Sequence, residues 1–126
     1  MTRQELERFL EQGHELGFVK ETDDPEFLGW ILLRKRKPNQ RLISIINPDE
    51  DADIMATEQM LSVRPYQVQV IELSKAVFEA DRYETEKDYR VNDVSYFSCL
   101  DDVQQFVGTF GLFLEDIKWR IEINAP

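Results

Sequence analysis

The spacing of apolar residues changes period along this chain, and that change constrains the fold more than any single residue does. Near the start, Leu6, Phe9, Leu10, Gly13 and Leu16 recur at helical spacing, with Glu5, Arg8, Glu11, Gln12 and Glu15 on the wet side. Val103, Phe106, Val107 and Phe110 repeat the pattern further on. Between and after these stripes the period drops to two. Tyr66, Val68 and Val70 alternate with Gln67 and Gln69, and Ile117, Trp119, Ile121 and Ile123 alternate with Lys118, Arg120 and Glu122. Helices interspersed with alternating strands predict an α+β fold. The expected form is a mostly antiparallel or mixed sheet of roughly four to six strands, with two main helices packed on one face and the other face solvated.

Local signals divide the chain further. Thr2 and Glu5 have the spacing of a capping box, and Gly17 is placed to end the first helix in the left-handed conformation. Trp30–Arg36 and Leu42–Ile46 flank the turn-forming Lys37-Pro38-Asn39-Gln40, which predicts a β-hairpin with a basic tip. The unbroken apolar run Trp30–Leu33 predicts a strand covered on both faces. Asp51 or Asp53 is placed to cap a short helix over Ile54–Leu61, and Pro65 closes that connection. Residues Ala76–Ala80 fit either a strand or a helical turn, Asp81–Asn92 reads as a loop, and Val94–Ser98 as a short strand. Ser98 and Asp101 suggest the cap of the later helix. Gly111 is its expected stop, while Gly108 either permits close packing or marks an early end. Ile117–Ile123 is the cleanest strand signal.

With 126 residues, no repeat and no linker-like tract, residues 1–126 read as a single domain. The lone Cys99 excludes an internal disulfide and fits a reducing compartment. The opening MTRQELERFL has no apolar core of a signal peptide, and the apolar runs are too short to span a bilayer, so a soluble cytoplasmic protein is expected. Net charge is −10 and unevenly distributed. Between Phe27 and Pro48 lie Arg34, Lys35, Arg36, Lys37 and Arg41 and no acid, leaving ten Lys/Arg against 25 Asp/Glu elsewhere. Such a field opposes nucleic acid and anionic membranes and attracts a basic surface.

Residues able to carry chemistry are few. His14 is the only histidine and lies beside the first apolar stripe, so it reads as a partly buried, satisfied side chain. Cys99 precedes Asp101 and Asp102, whose charge opposes a thiolate; a buried structural cysteine is expected, although a Cys99–His14 pair could still form through folding. Asp49, Asp51 and Asp53 imitate the first ligands of a calcium loop, but Ile54 and Met60 occupy its glycine and bidentate-glutamate positions. No phosphate loop, dinucleotide fingerprint, GxSxG, HExxH or CxxC occurs, so no cofactor, metal or catalytic residue is assigned.

The leading functional expectation is a small acidic protein-binding module, of the kind exemplified by inhibitors and by immunity or antitoxin-like proteins that mask a basic partner. Its candidate partner-binding residues are Asp49, Asp51 and Asp53, with Asp81–Asp88 as a second acidic segment, and the basic run Arg34, Lys35, Arg36 and Lys37. The alternative is an enzyme or small-ligand-binding protein whose pocket is assembled from His14, Cys99, Tyr66, Tyr96 and dispersed carboxylates. A homo-oligomeric structural protein is a third option.

Overall fold

The structure, a computed structural model, describes residues 1–45, 47, 49–80 and 85–126, without the side chains of residues 40 and 43. The strands are β1 (Leu16–Lys20), β2 (Phe27–Lys35), β3 (Tyr66–Ser74), β4 (Tyr89–Phe97) and β5 (Lys118–Trp119). They form one antiparallel sheet in the order β4-β3-β2-β1-β5. The helices are α1 (Arg3–Glu11), α2 (Gln40–Ile45), α3 (Ala52–Val63), α4 (Lys75–Glu79) and α5 (Leu100–Gly108). The fold is α+β with an antiparallel sheet, as the alternating periods imply.

The two amphipathic helices cover one face of the sheet. Leu6 and Leu10 of α1 and Leu100, Val103 and Val107 of α5 pack on Leu16, Phe18, Ile31, Leu33, Val68 and Val70. Thr2 and Glu5 close the capping box on α1. This helix ends earlier than the sequence suggests. Gly13, at φ +87°, is its left-handed terminator, with Gly13 N–H on the Leu10 carbonyl and His14 N–H on that of Phe9, both at 3.1 Å. Gly111, at φ +75°, ends α5 in the same manner, and Gly108 is the last residue of that helix. Its N-cap is Cys99, one residue later than Ser98, whose hydroxyl instead contacts Asp102.

The opposite face is apolar over part of its area. Trp30, Leu32, Ile71 and Leu73 point there and are covered by Phe78 of α4 and by Ile123. The expected strand Ile117–Ile123 is therefore shortened to β5, and Arg120–Ile123 turns into a 3-10 helix that crosses this face. The indole N–H of Trp30 donates to the Ile123 carbonyl at 2.9 Å, which gives a buried polar group its partner. Ile121, which an extended strand would place inward, is 86% exposed.

The hairpin of Trp30–Arg36 with Leu42–Ile46 does not form. β2 pairs with β1 on one side and β3 on the other, so both its edges are occupied, and residues 40–45 are helical; Ile46 lies outside the described residues. Ala76–Glu79 belongs to α4. Tyr89–Asn92 extends β4 rather than a loop, because β3 runs on to Ser74 and offers its edge to polar residues that an edge strand leaves in water.

Gly17 lies inside β1, where a Cβ would stand 2.6 Å from the Ile31 carbonyl oxygen and 2.9 Å from Ile123 Cδ1. Gly17→Ala should destabilise the protein by about 1–3 kcal/mol, the usual range for overpacking. Gly108→Ala, whose Cβ would meet only Gln104 Nε2 at 3.8 Å, should be neutral or stabilise by up to about 1 kcal/mol. Denaturant unfolding of the two variants checks the contrast.

Candidate functional site

Strand alternation splits the basic run. Lys35 and Lys37 leave β2 toward the helix-covered face, where both reach Glu11 of α1; the Lys37 contact is 2.7 Å. Hydrogen bonds from Lys35 and then Lys37 hold the Glu11 carboxyl at about 2, from an ordinary 4.5. Arg34 and Arg36 emerge on the other face. Arg34 Nη2 lies 3.4 Å and Arg36 Nη1 3.3 Å from Gln67 Oε1, and Arg36 Nη1 is 3.5 Å from the Tyr96 hydroxyl. Register explains the grouping: Arg34 pairs with Gln67, and Gln67 with Tyr96, so the three side chains form one row across β2, β3 and β4. Tyr96 also lines a cleft of about 540 Å³ together with Arg64 and Asp102.

At the other end of the sheet, Lys20, Gly29 and Glu72 form an equivalent row on the helix-covered face. Gly29 carries no side chain, so Lys20 Nζ reaches across it to Glu72 Oε2 at 3.0 Å. Arg90, at the irregularity where β4 slips against β3, binds Glu72 Oε1 and reaches Asp23 at 2.6 Å. Burial alone would raise the Glu72 carboxyl, but hydrogen bonds from Arg90 and Lys20 outweigh it and leave it below its ordinary value.

The acidic residues of the 49–53 segment lead into α3. Asp51 is the N-cap residue, but its carboxylate turns back to accept from Asn47 N–H at 3.1 Å. Asp49 and Asp53 are exposed. No residue of this segment joins the basic run in an ion pair among the described residues. The same excursion between β2 and β3 exposes Ile45, Ile54 and Val63 at 74%, 43% and 63%. In the second acidic segment, residues 81–84 lie outside the described residues, and Asp88 caps a short turn by accepting from Thr85.

The dispersed residues do not converge. His14 is exposed in the turn after α1, with its ring 5.0 Å from that of Trp119 on β5, at one edge of the sheet. Tyr96 sits on β4, the opposite edge. Tyr66 and Tyr96 lie on opposite faces, since Tyr66 pairs with Phe97. Cys99 is exposed, not buried: it occupies the N-cap of α5, and the neighbouring Leu100 fills the core instead. Among the described residues no group of three or more His, Cys, Asp or Glu side chains is arranged to hold a metal, and no helix is long and apolar enough to cross a membrane. Searches against protein-family models, curated proteins and solved structures gave no match.

Gln67 and Glu72 escaped the sequence reading as site residues, and Tyr96 entered it only as part of a dispersed pocket. The alternation of Tyr66–Val70 placed Gln67 opposite the valines, but only the register with β2 and β4 brings it to Arg34 and Tyr96.

The Glu72 cluster has a consequence for acid stability. A carboxyl whose folded pKa is depressed contributes stability above its unfolded value, near 4.5, and loses it as the pH falls through the folded value. Glu72→Gln should therefore flatten the acid limb of the stability–pH profile. At pH 7 it should cost about 3 kcal/mol, because Lys20 and Arg90 lose their anionic partner. Urea unfolding at several pH values measures both effects.

Proposed function

We propose that this chain is a protein-binding module that masks a basic partner, in the manner of an inhibitory or immunity-type protein. The observation that carries the reading is the composition of the excursion between β2 and β3. Exposed Asp49, Glu50 and Asp53 stand in the same excursion as Ile45, Ile54 and Val63, all three of which are exposed. Exposed carboxylates and exposed apolar side chains in one excursion suit a basic partner that also offers apolar contacts: the charges accelerate encounter, and the apolar contacts slow release. The net charge of −10 extends that attraction beyond the contact itself.

Affinity capture followed by mass spectrometry supplies the partner, and stopped-flow binding then tests the surface. Replacing Asp49, Asp51 and Asp53 with Asn should slow association by about tenfold at low salt and change dissociation much less. Ile54→Ala should act mainly on dissociation. Salt-independent association would overturn the reading. So would a larger loss on neutralising Arg34, Lys35, Arg36 and Lys37 than on neutralising the three aspartates.

A further inference from the structure

Arg34 and Arg36 direct two permanent positive charges at a single neutral oxygen. Gln67, only 8% exposed, holds its Oε1 between them at 3.4 and 3.3 Å. Charge-assisted hydrogen bonds ordinarily close to about 2.7–2.9 Å, so these contacts are slack. Among the described residues no carboxylate lies within the 4.0 Å of an ion pair from either guanidinium, although the chain carries 25 acidic residues. The contrast within one run is sharp, since Lys35 and Lys37 share Glu11. Arginine does not relieve such crowding by losing a proton, whereas lysine does so readily. Arg36 is also fixed by its backbone, whose N–H donates to the Pro65 carbonyl at 2.7 Å.

We propose that Arg34, Arg36 and Tyr96 form a binding site for a single phosphoryl group. Two guanidiniums converging on one oxygen match a charge near −2, whereas one carboxylate would neutralise only half of theirs. The Tyr96 hydroxyl adds a third donor, and the adjoining cleft that Tyr96 lines is also lined by Arg64 and by the carboxylate of Asp102. Gln67 positions the guanidiniums without competing for the ligand, because it brings no charge. The surrounding field selects for a compact ligand: a polyanion would meet the carboxylates of a −10 protein, and a single phosphoryl group avoids most of them. The group could arrive as a small phosphorylated molecule or on a phosphorylated protein side chain, and both present the same three oxygens.

The site shares no residue with the Asp49, Asp51 and Asp53 docking segment, although Arg36 and Arg64 stand at the two ends of the same excursion. Calorimetry and amide NMR on the full chain, in phosphate-free buffer, would use inorganic phosphate, a phosphoserine peptide flanked by alanines, and acetate. Phosphate should bind saturably, at least tenfold more tightly than acetate, and move the resonances of Arg34, Arg36, Gln67 and Tyr96. Tighter binding of the phosphopeptide identifies a protein-borne group, and equal binding a free one. Arg34→Gln and Arg36→Gln should each weaken phosphate binding at least tenfold. Lys35→Gln and Lys37→Gln, from the same run, should leave it within twofold. Tyr96→Phe, which removes only a hydroxyl, gives a conservative check should an arginine variant unfold, and it should weaken binding severalfold. Asp49→Asn with Asp51→Asn and Asp53→Asn should not weaken binding, so this site and the proposed docking surface fail separately. No saturation, equal acetate affinity, or equal losses from the lysine and arginine variants would overturn the proposal.

Discussion

Trp30, Ile31, Leu32 and Leu33 are consecutive and all buried, so the strand that carries them has to be covered on both faces. Much of the remaining architecture follows from that requirement. Successive strand residues point to opposite faces, so Ile31 and Leu33 need the layer that α1 and α5 supply, and Trp30 and Leu32 need a second cover. The chain supplies the second cover from α4 and from its last residues. The cover is specific as well as apolar, because the Trp30 indole requires an acceptor and the Ile123 carbonyl provides it. Gly17 is the complement of this closure: it is the position in β1 over which Ile123 rests.

Placing β2 in the centre also decides where charge is buried. Register aligns Lys20, Gly29 and Glu72, and the missing side chain of Gly29 lets a lysine on β1 meet a glutamate two strands away. Burying Glu72 without partners would be costly, and the Lys20 and Arg90 contacts offset that cost. The Arg90 ring contact with Phe27 and the Lys20 contact with Phe110 tie the ion pairs to apolar neighbours on β2 and beyond the end of α5. This end of the sheet is thus braced by charges that neutralise one another.

The readable parts of this fold are those set by local rules. Capping of α1 by Thr2 and Glu5, the glycine stop of α5 and the inward set Tyr66, Val68 and Val70 depend on neighbours in sequence and stand where expected, while α3 starts after Asp51 without a cap bond from its carboxylate. The misread parts were settled by competition between distant segments. Leu42–Ile46 has strand-like composition, yet β1 and β3 already fill both edges of β2. Ile117–Ile123 alternates cleanly, but β5 finds only Leu16 and Gly17 to pair with, and the apolar far face draws the rest across it. The Asp101 and Asp102 charges that argue against a reactive Cys99 do not make it buried, because a helix N-cap at a strand exit faces water. Of the candidate site, the basic run and the acidic segment were legible as charge clusters. Their division between paired lysines and unpaired arginines was not, since it depends on which face of β2 each residue takes.

That division separates the two ends of the sheet by how their charges are satisfied. At the Glu72 end, Lys20 and Arg90 are spent on internal carboxylates, and little charge is left over for a ligand. At the other end, where β2 and β4 finish and β3 begins, Glu11 satisfies the lysines while Arg34 and Arg36 rest on a neutral amide and a phenol. The excursion with the exposed apolar residues also departs from this end, since it leaves β2 after Lys35 and returns at Tyr66. A sheet needs its neutralised charges where strands must stay in register, and the bulge beside Glu72 is such a place. At the opposite end, Arg34 and Arg36 rest on the neutral Gln67 amide and, for Arg36, the Tyr96 hydroxyl, with no carboxylate in an ion pair among the described residues. The proposed phosphoryl ligand would supply the charge that the described residues do not place beside them, and the neighbouring excursion adds exposed Ile45, Ile54 and Val63 on the same stretch of chain.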